Sequence, residues 1–98
     1  YSENLDVDTG TEVIGEIDAT LYNAVFFDYV IIKGINLRAG TVTVVSDGTN
    51  TEFMEYGTND LGNTSDVEFS SDIYNGKLRL LATVTSDNWI IKVLIRGI

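Results

Sequence analysis

The segment YNAVFFDYVIIK, residues 22–33, decides the fold of this 98-residue chain. Its apolar side chains occupy both the odd and the even positions, so both faces of an extended segment would be apolar. β-branched and aromatic residues dominate it, which favours a strand over a buried helix. We therefore predict a strand that packs on a core with one face and needs a second contact to cover the other.

The flanking sequence predicts more strands. Residues 12–21 and 77–85 alternate apolar and polar side chains, as strands with one solvated face do. The dipeptides Asp47-Gly48 and Asn75-Gly76 are typical of tight hairpin turns. In all, about seven short strands are predicted, at residues 12–21, 22–33, 41–46, 51–56, 67–70, 77–85 and 89–98. The prediction is an all-β fold, an antiparallel, jelly-roll-like β-sandwich.

The domain organisation follows from chain length and from the polar ends of the pattern. A chain of this size is one domain. Residues 1–11 are polar and acidic, so we predict a lead-in segment or linker there and a single sandwich domain over residues 12–98. The glycines of GINLRAG, residues 34–40, bracket a predicted connection between strands.

Composition narrows the function. Fifteen Asp and Glu against six Lys and Arg give a formal net charge of −9. This is the wrong sign for binding nucleic acid or an anionic membrane, so we expect neither as a partner. The chain has no His and no Cys, which removes Ser-His and Cys-His nucleophile pairs and the imidazole and thiolate metal ligands. We expect no catalytic residues, no metal site and no cofactor, and therefore a protein that is not an enzyme.

Excess apolar surface predicts an interface. Phe27, Tyr29 and Ile31 lie on one face of the 22–33 segment, and Ile90 and Leu94 are apolar members of the last strand. A soluble monomer rarely exposes such a patch, so we predict that these five residues contact another copy of the chain. Cover by the lead-in segment, by loops or by flanking domains is the alternative.

Asp28 is the one acidic residue inside the doubly apolar segment. A buried carboxylate needs a cation or several hydrogen-bond donors. The prediction is a structural ion pair between Asp28 and Arg38 across the 34–40 connection.

Three aromatic residues are candidates for stacking on a ligand. Tyr56 and Tyr74 lie beside predicted turns, and Trp89 opens the last strand. Aromatic faces can stack on sugar rings, although an indole at the start of an apolar strand is also a typical core residue.

Three segments resemble a small β module of tailed-bacteriophage virion proteins. They are AVFFDYVIIKGINLRAGTVTVV (24–45), DLGNTSDVEFSSDI (60–73) and NGKLRLLATVTSDNWIIKVLIRGI (75–98). The module occurs in tail-fibre, tail-tip and decoration proteins. The resemblance implies a structural role in the virion, commonly as a trimer or other self-associated form. It also implies contacts with other virion proteins and surface loops that are free to touch a host, including a host glycan.

Two functions therefore remain open from the sequence. The first is a non-enzymatic virion module that self-associates and presents loops. The alternative is a carbohydrate-binding β-sandwich of a secreted or surface protein, in which Trp89, Tyr56 or Tyr74 stacks on sugar.

Overall fold

The computed structural model describes all 98 residues and contains eight β-strands and no α-helix. It confirms the all-β prediction. No helix that is long and apolar enough to cross a membrane is present. The strands are β1 (Ser2–Val7), β2 (Gly10–Asp18), β3 (Ala24–Lys33), β4 (Asn36–Ser46), β5 (Thr51–Gly57), β6 (Val67–Tyr74), β7 (Lys77–Val84) and β8 (Trp89–Gly97).

The strands form two antiparallel sheets that pack face to face as a sandwich. The large sheet has five strands in the order β1-β8-β3-β4-β5, and the small sheet has three in the order β2-β7-β6. β3, β4 and β5 follow one another as a meander, and β6 and β7 form a hairpin. β1 pairs with β8 and β2 with β7, so the two ends of the chain wrap together as in a jelly roll.

The core lies between the sheets and is a single cluster of 18 buried residues. The central strand β3 contributes its odd-numbered side chains, Val25, Phe27, Tyr29 and Ile31, each at most 4% exposed. Leu78 and Leu80 of β7 cover them from the small sheet and are fully buried. Alternation places the even-numbered side chains of β3 on the opposite, outer face of the large sheet.

The prediction that residues 1–11 are a lead-in segment is wrong. Residues 2–7 form the edge strand β1, with Glu3 opposite Lys92 and Val7 opposite Trp89 on β8. An edge strand needs a partner on one side only and little apolar surface. Val7 is its only buried residue, which is why the segment looks like a polar linker.

The predicted connection over residues 34–40 is also mostly strand. β4 begins at Asn36, so β3 and β4 are joined by a short turn at Gly34 and Ile35. Gly40 lies within β4, where a Cβ atom would clash with the backbone of Tyr56 and Gly57 and would come within 2.9 Å of the Tyr29 hydroxyl. This glycine marks a close approach of the β5 backbone and of the Tyr29 side chain, not a turn.

Both predicted hairpins are confirmed in position, but the tight two-residue turn is found only at Asn75-Gly76, since the connection at Asp47-Gly48 is four residues long. Residues 47–50 join β4 to β5, and Asn75 and Gly76 join β6 to β7. Asn75 and Gly76 have φ of 51° and 73°. Two consecutive positive φ values are what a type I′ turn requires, and Asn-Gly is the dipeptide that best tolerates them.

We predict that Phe27→Ala destabilises the domain by about 3–5 kcal/mol, because it empties the core between the sheets. Phe26→Ala, one residue away on the outer face, should cost far less. Urea unfolding of both variants measures the difference. Equal losses would contradict the assignment of the two faces of β3.

Candidate functional site

The outer faces of the two sheets differ in character. The outer face of the small sheet is largely polar. Its polar members are Thr11, Glu16, Asp18, Glu68, Ser70, Asp72, Lys77, Arg79 and Thr83, and its apolar members are Val13, Leu81 and Tyr74. The outer face of the large sheet is largely apolar. Its apolar members are Phe26, Val30, Ile32, Leu37, Val45, Met54, Tyr56, Ile90 and Leu94. This second surface, called here the outer face, is the candidate functional site.

The structure corrects three of the five predicted interface residues. Phe27, Tyr29 and Ile31 point into the sandwich and are covered by the small sheet. Ile90 and Leu94 do lie on the outer face, where Leu94 is 49% exposed. Ile90 stands opposite Ile32 of β3. Periodicity could not say which face of β3 is the core, although Asp28 among the even-numbered residues was a signal for the solvent side.

The carboxylate of Asp28 pairs with Arg96, not with Arg38 as predicted. Arg96 donates two hydrogen bonds to it, from Nε at 2.8 Å and from Nη2 at 3.0 Å. The Thr41 hydroxyl donates a third at 2.8 Å. The hydrogen bonds from Arg96 are the main reason that the pKa of Asp28 lies below its usual value. The Arg96 guanidinium also lies 5.0 Å from the centre of the Phe26 ring, so the charges on this part of the outer face are satisfied.

The register of β3 with β4 explains the error. Arg38 stands opposite Ile31, whereas Thr41 stands opposite Asp28. Opposite residues share a face, so Arg38 is directed to the inside of the sandwich and Asp28 to the outside. No rotamer of Arg38 on the inner side can reach a carboxylate on the outer face.

Arg38 instead organises a half-buried polar cluster at one end of the core. It forms an ion pair with Glu55 at 3.1 Å, and its side chain is 14% exposed. Its Nε donates to the Tyr29 hydroxyl at 3.2 Å, its Nη1 to Thr64 Oγ1 at 3.0 Å, and its Nη2 to the carbonyl oxygen of Val67 at 3.2 Å. One guanidinium thus ties β3, β4, β5 and the start of β6 together.

Tyr29 completes this cluster by donating its hydroxyl proton to Glu55. Burial is the largest cause that raises the pKa of Tyr29, to about 12, and the hydrogen bond to Glu55 adds to it. Gly40 and Gly57 leave room for the hydroxyl, since a Cβ at Gly57 would lie 2.8 Å from it. These contacts were missed from the sequence because they join residues distant along the chain.

The segment over residues 58–66 is fixed against the Arg38 cluster. Asp60 accepts a hydrogen bond from the backbone N–H of Thr64 at 2.9 Å, and Asn36 accepts one from Asn63 at 2.9 Å. The backbone of Leu61 pairs with that of Leu37. This connection is therefore held at the margin of the outer face.

The aromatic candidates divide into two groups. Trp89 is 1% exposed and donates its Nε1–H to Ser86 Oγ at 2.9 Å, so the prediction that it stacks on a ligand is wrong and it is a core residue. Tyr56 and Tyr74 are 79% and 59% exposed, but they lie on different sheets. The Tyr74 ring is stacked by Arg79 at 4.7 Å. The two tyrosines form no common platform, and stacking of a sugar on Tyr56 alone stays a prediction.

Only shallow depressions mark the surface. The largest, about 690 Å³, lies at a corner of the large sheet between Asn23, Asp47, Asn50, Glu52 and Ile98. No group of three or more acidic side chains is placed to hold a metal ion. All of these depressions are open to solvent.

We predict that Arg38→Met destabilises the fold by about 2–4 kcal/mol, because it leaves the Tyr29, Glu55 and Thr64 groups without their shared partner. Arg96→Met, which breaks the exposed pair with Asp28, is the control and should cost much less. Thermal unfolding of both variants checks the ranking. A larger fall in the melting temperature for Arg96→Met would show that the Arg38 cluster is not the more stabilising of the two.

We also predict a specific alkaline loss of stability. The pKa of Tyr29 is raised from 10.0 to about 12 in the folded state, so the folded protein holds this proton more tightly than the unfolded chain. Its contribution is complete below pH 10 and disappears as pH rises from 10 to about 12. Denaturant unfolding across this range should show a steeper loss in the wild type than in Tyr29→Phe. Tyr56→Phe, at an exposed position, should retain the wild-type slope.

Comparisons with known proteins identify the fold alone. No family model matches the chain, and no curated protein matches its sequence. Among solved structures, the tailspike protein of the Acinetobacter phage vB_ApiP_P1 is similar, with a TM-score of 0.62 and 17% sequence identity. The match covers 98% of this chain and 21% of the tailspike, so the chain spans about a fifth of that protein. The eight-stranded fold is thus shared with part of a phage tailspike.

Proposed function

We propose that this chain is a non-enzymatic structural module of a tailed-bacteriophage virion, as part of a fibre, a tail-associated protein or a capsid decoration. The function assigned to it is self-association through the outer face. The observation that carries the proposal is that this face is largely apolar in an otherwise acidic molecule, and that Val45, Met54, Tyr56 and Leu94 on it are exposed. The fold shared with part of a phage tailspike supports the virion setting.

Charge is distributed in a way that favours contact between copies at this face. The chain has a net charge of −9, yet the acids on the outer face are Glu3, Asp28 and Glu52. Lys92 stands opposite Glu3, and Arg96 is bound to Asp28. The face is therefore close to neutral, and most of the repulsive charge lies elsewhere on the molecule. An uncharged apolar surface needs no basic partner, so a second copy fits it.

The size of the molecule limits the contact that one face can make. The molecule measures 38 × 23 × 20 Å along its principal axes. The rectangle of its two longer dimensions is of the same order as the roughly 800 Å² per partner of a standard protein interface. A standard interface would therefore need most of one face of the sandwich.

The module would contact several kinds of partner in and around the virion. We assign the module to the virion, with copies of itself and other virion proteins as partners and a trimer as the favoured assembly. The segment over residues 58–66 is held by Arg38 and Asn36 and is available to contact a host surface. Tyr56, which is 79% exposed, is the side chain we assign to stacking on a host glycan where contact between copies leaves this margin of the outer face open.

We predict that Leu94→Lys weakens self-association, because it places a charge in the middle of the apolar contact. Val13→Lys is the matched control: Val13 is 40% exposed, against 49% for Leu94, but lies on the small sheet. Both variants change the net charge equally, so a difference between them reports the surface used. Sedimentation velocity of both variants and the wild type measures the effect.

Salt provides a second test of the same contact. Copies with a net charge of −9 repel each other at long range, and NaCl screens this repulsion while leaving apolar contact intact. The wild type should therefore associate more strongly in high NaCl than in low NaCl. A strict monomer at both salt concentrations would contradict self-association.

A further inference from the structure

The free backbone edge of the strand β5 is a second surface, which adjoins the outer face and shares the side chains of Met54 and Tyr56 with it. β5 pairs with β4 on one side and is the last strand of the large sheet. Six of its seven residues are exposed. Phe53, Met54 and Tyr56 are exposed by 44%, 64% and 79%. A sheet edge of this kind can accept another strand through its free backbone groups.

The hydrogen bonds of the ladder show which residues offer free groups. The N–H of Thr58 donates to the carbonyl of Ala39, and the N–H of Asp47 donates to that of Asn50. With the observed register, this pattern directs the backbone groups of residues 52, 54 and 56 towards β4. The N–H and C=O groups of residues 51, 53, 55 and 57 therefore point away from the sheet.

The other sheet edges are less open to pairing. The register of β1 is irregular between Asn4 and Val7, and that of β2 shifts between Val13 and Gly15. Such irregularities are devices that protect edges from pairing. β6 and β5 approach each other at the start of β5, where the Thr51 and Ser71 hydroxyls are 3.4 Å apart, so this contact narrows both edges there and leaves residues 52–57 of β5 exposed. β5 has a continuous register with β4 and contains no Pro, Lys or Arg.

The sequence of β5 is compatible with pairing to itself. In a twofold antiparallel pair centred on Met54, Met54 faces its own copy. The other facing pairs are Thr51 with Gly57, Glu52 with Tyr56, and Phe53 with Glu55. Every free backbone group of the strand is then used, and no acid faces an acid. Centring the pair on Phe53 or on Glu55 leaves free groups at one end unpaired, and the second choice also sets Glu55 against Glu55.

The charges of β5 favour a copy of the same strand. The Glu55 carboxylate is already neutralised by Arg38 at 3.1 Å, so it does not repel a second chain at this edge. Glu52 would lie beside the Tyr56 hydroxyl of the partner strand, which can donate a hydrogen bond to it. We propose that β5 pairs with β5 of a second copy, antiparallel and centred on Met54, so that two large sheets join into one continuous sheet.

This inference goes beyond the proposed function, because it concerns a backbone edge and not the outer face. A strand added to the free edge of β5 extends the large sheet in its own plane. It leaves the part of the outer face formed by β3, β4 and β8 open, so both contacts can be made at once. The edge contact has twofold symmetry, and it can link copies independently of any contact that the outer face makes.

Cysteine cross-linking tests the register directly, since the chain has no cysteine of its own. Met54 would face its copy in a non-hydrogen-bonded pair with Cα atoms about 4.5 Å apart, which is within disulfide range. Oxidised Met54→Cys should therefore shift to twice the chain mass on a non-reducing gel. Tyr56→Cys and Glu52→Cys should each stay monomeric, because their copies would be about 13 Å apart. A mixture of Tyr56→Cys and Glu52→Cys should cross-link.

The controls separate the alternatives. Two results would overturn the pairing: a Met54→Cys variant that stays monomeric, or equal cross-linking of all three single variants. If the β5 edge binds a basic strand of another protein instead, the Met54→Cys variant stays monomeric. Leu94→Lys in the Met54→Cys background should leave the cross-link unchanged if β5 pairs independently. Salt-dependent association without a Met54 cross-link would overturn the β5 contact and leave the proposed function standing.

Discussion

The alternation of side chains along β3 is the constraint on which the rest of the structure depends. β3 is the middle strand of the large sheet, so its backbone groups are paired with β8 and β4. Its remaining contacts are made by the side chains on its two faces. Phe27 and Ile31 on one face anchor the small sheet and make the core. Phe26 and Val30 on the other face are half-buried and belong to an apolar surface on which Leu94, Met54 and Tyr56 are exposed. The fold and the candidate site therefore arise from the same ten residues.

The Arg38 cluster holds the strand and the loop that border the outer face. A guanidinium with little exposure is stable only if most of its donors are satisfied, and Arg38 achieves this with Tyr29, Glu55, Thr64 and Val67. The same bonds hold β5 and the segment over residues 58–66 in place. Because Glu55 is neutralised from inside the sandwich, β5 remains an edge with little net charge. Arg38 therefore both satisfies polar groups at the end of the core and neutralises the Glu55 charge on the β5 edge.

The sequence was most informative where a local pattern determines the structure. The all-β class follows from the alternation in residues 12–21 and 77–85, and the turn at Asn75-Gly76 follows from its need for positive φ. It failed where the outcome depends on pairing between distant segments. β1 is a strand only because β8 lies beside it, and Arg38 meets Glu55 only because of the register of β4 with β5. Periodicity also could not say which face of β3 is covered.

Charge placement connects these observations to assembly. Asp72 is bound by Arg79 on the small sheet, and its pKa lies below its usual value mainly because of those hydrogen bonds. Acids that are stabilised as anions in this way stay charged at neutral pH and keep the small-sheet surface hydrated. The large sheet has the opposite design, with Asp28 neutralised by Arg96 among apolar neighbours. The two faces of the sandwich therefore differ in what a contact would gain, because a neutral apolar face gains more free energy by leaving water than a charged, hydrated one.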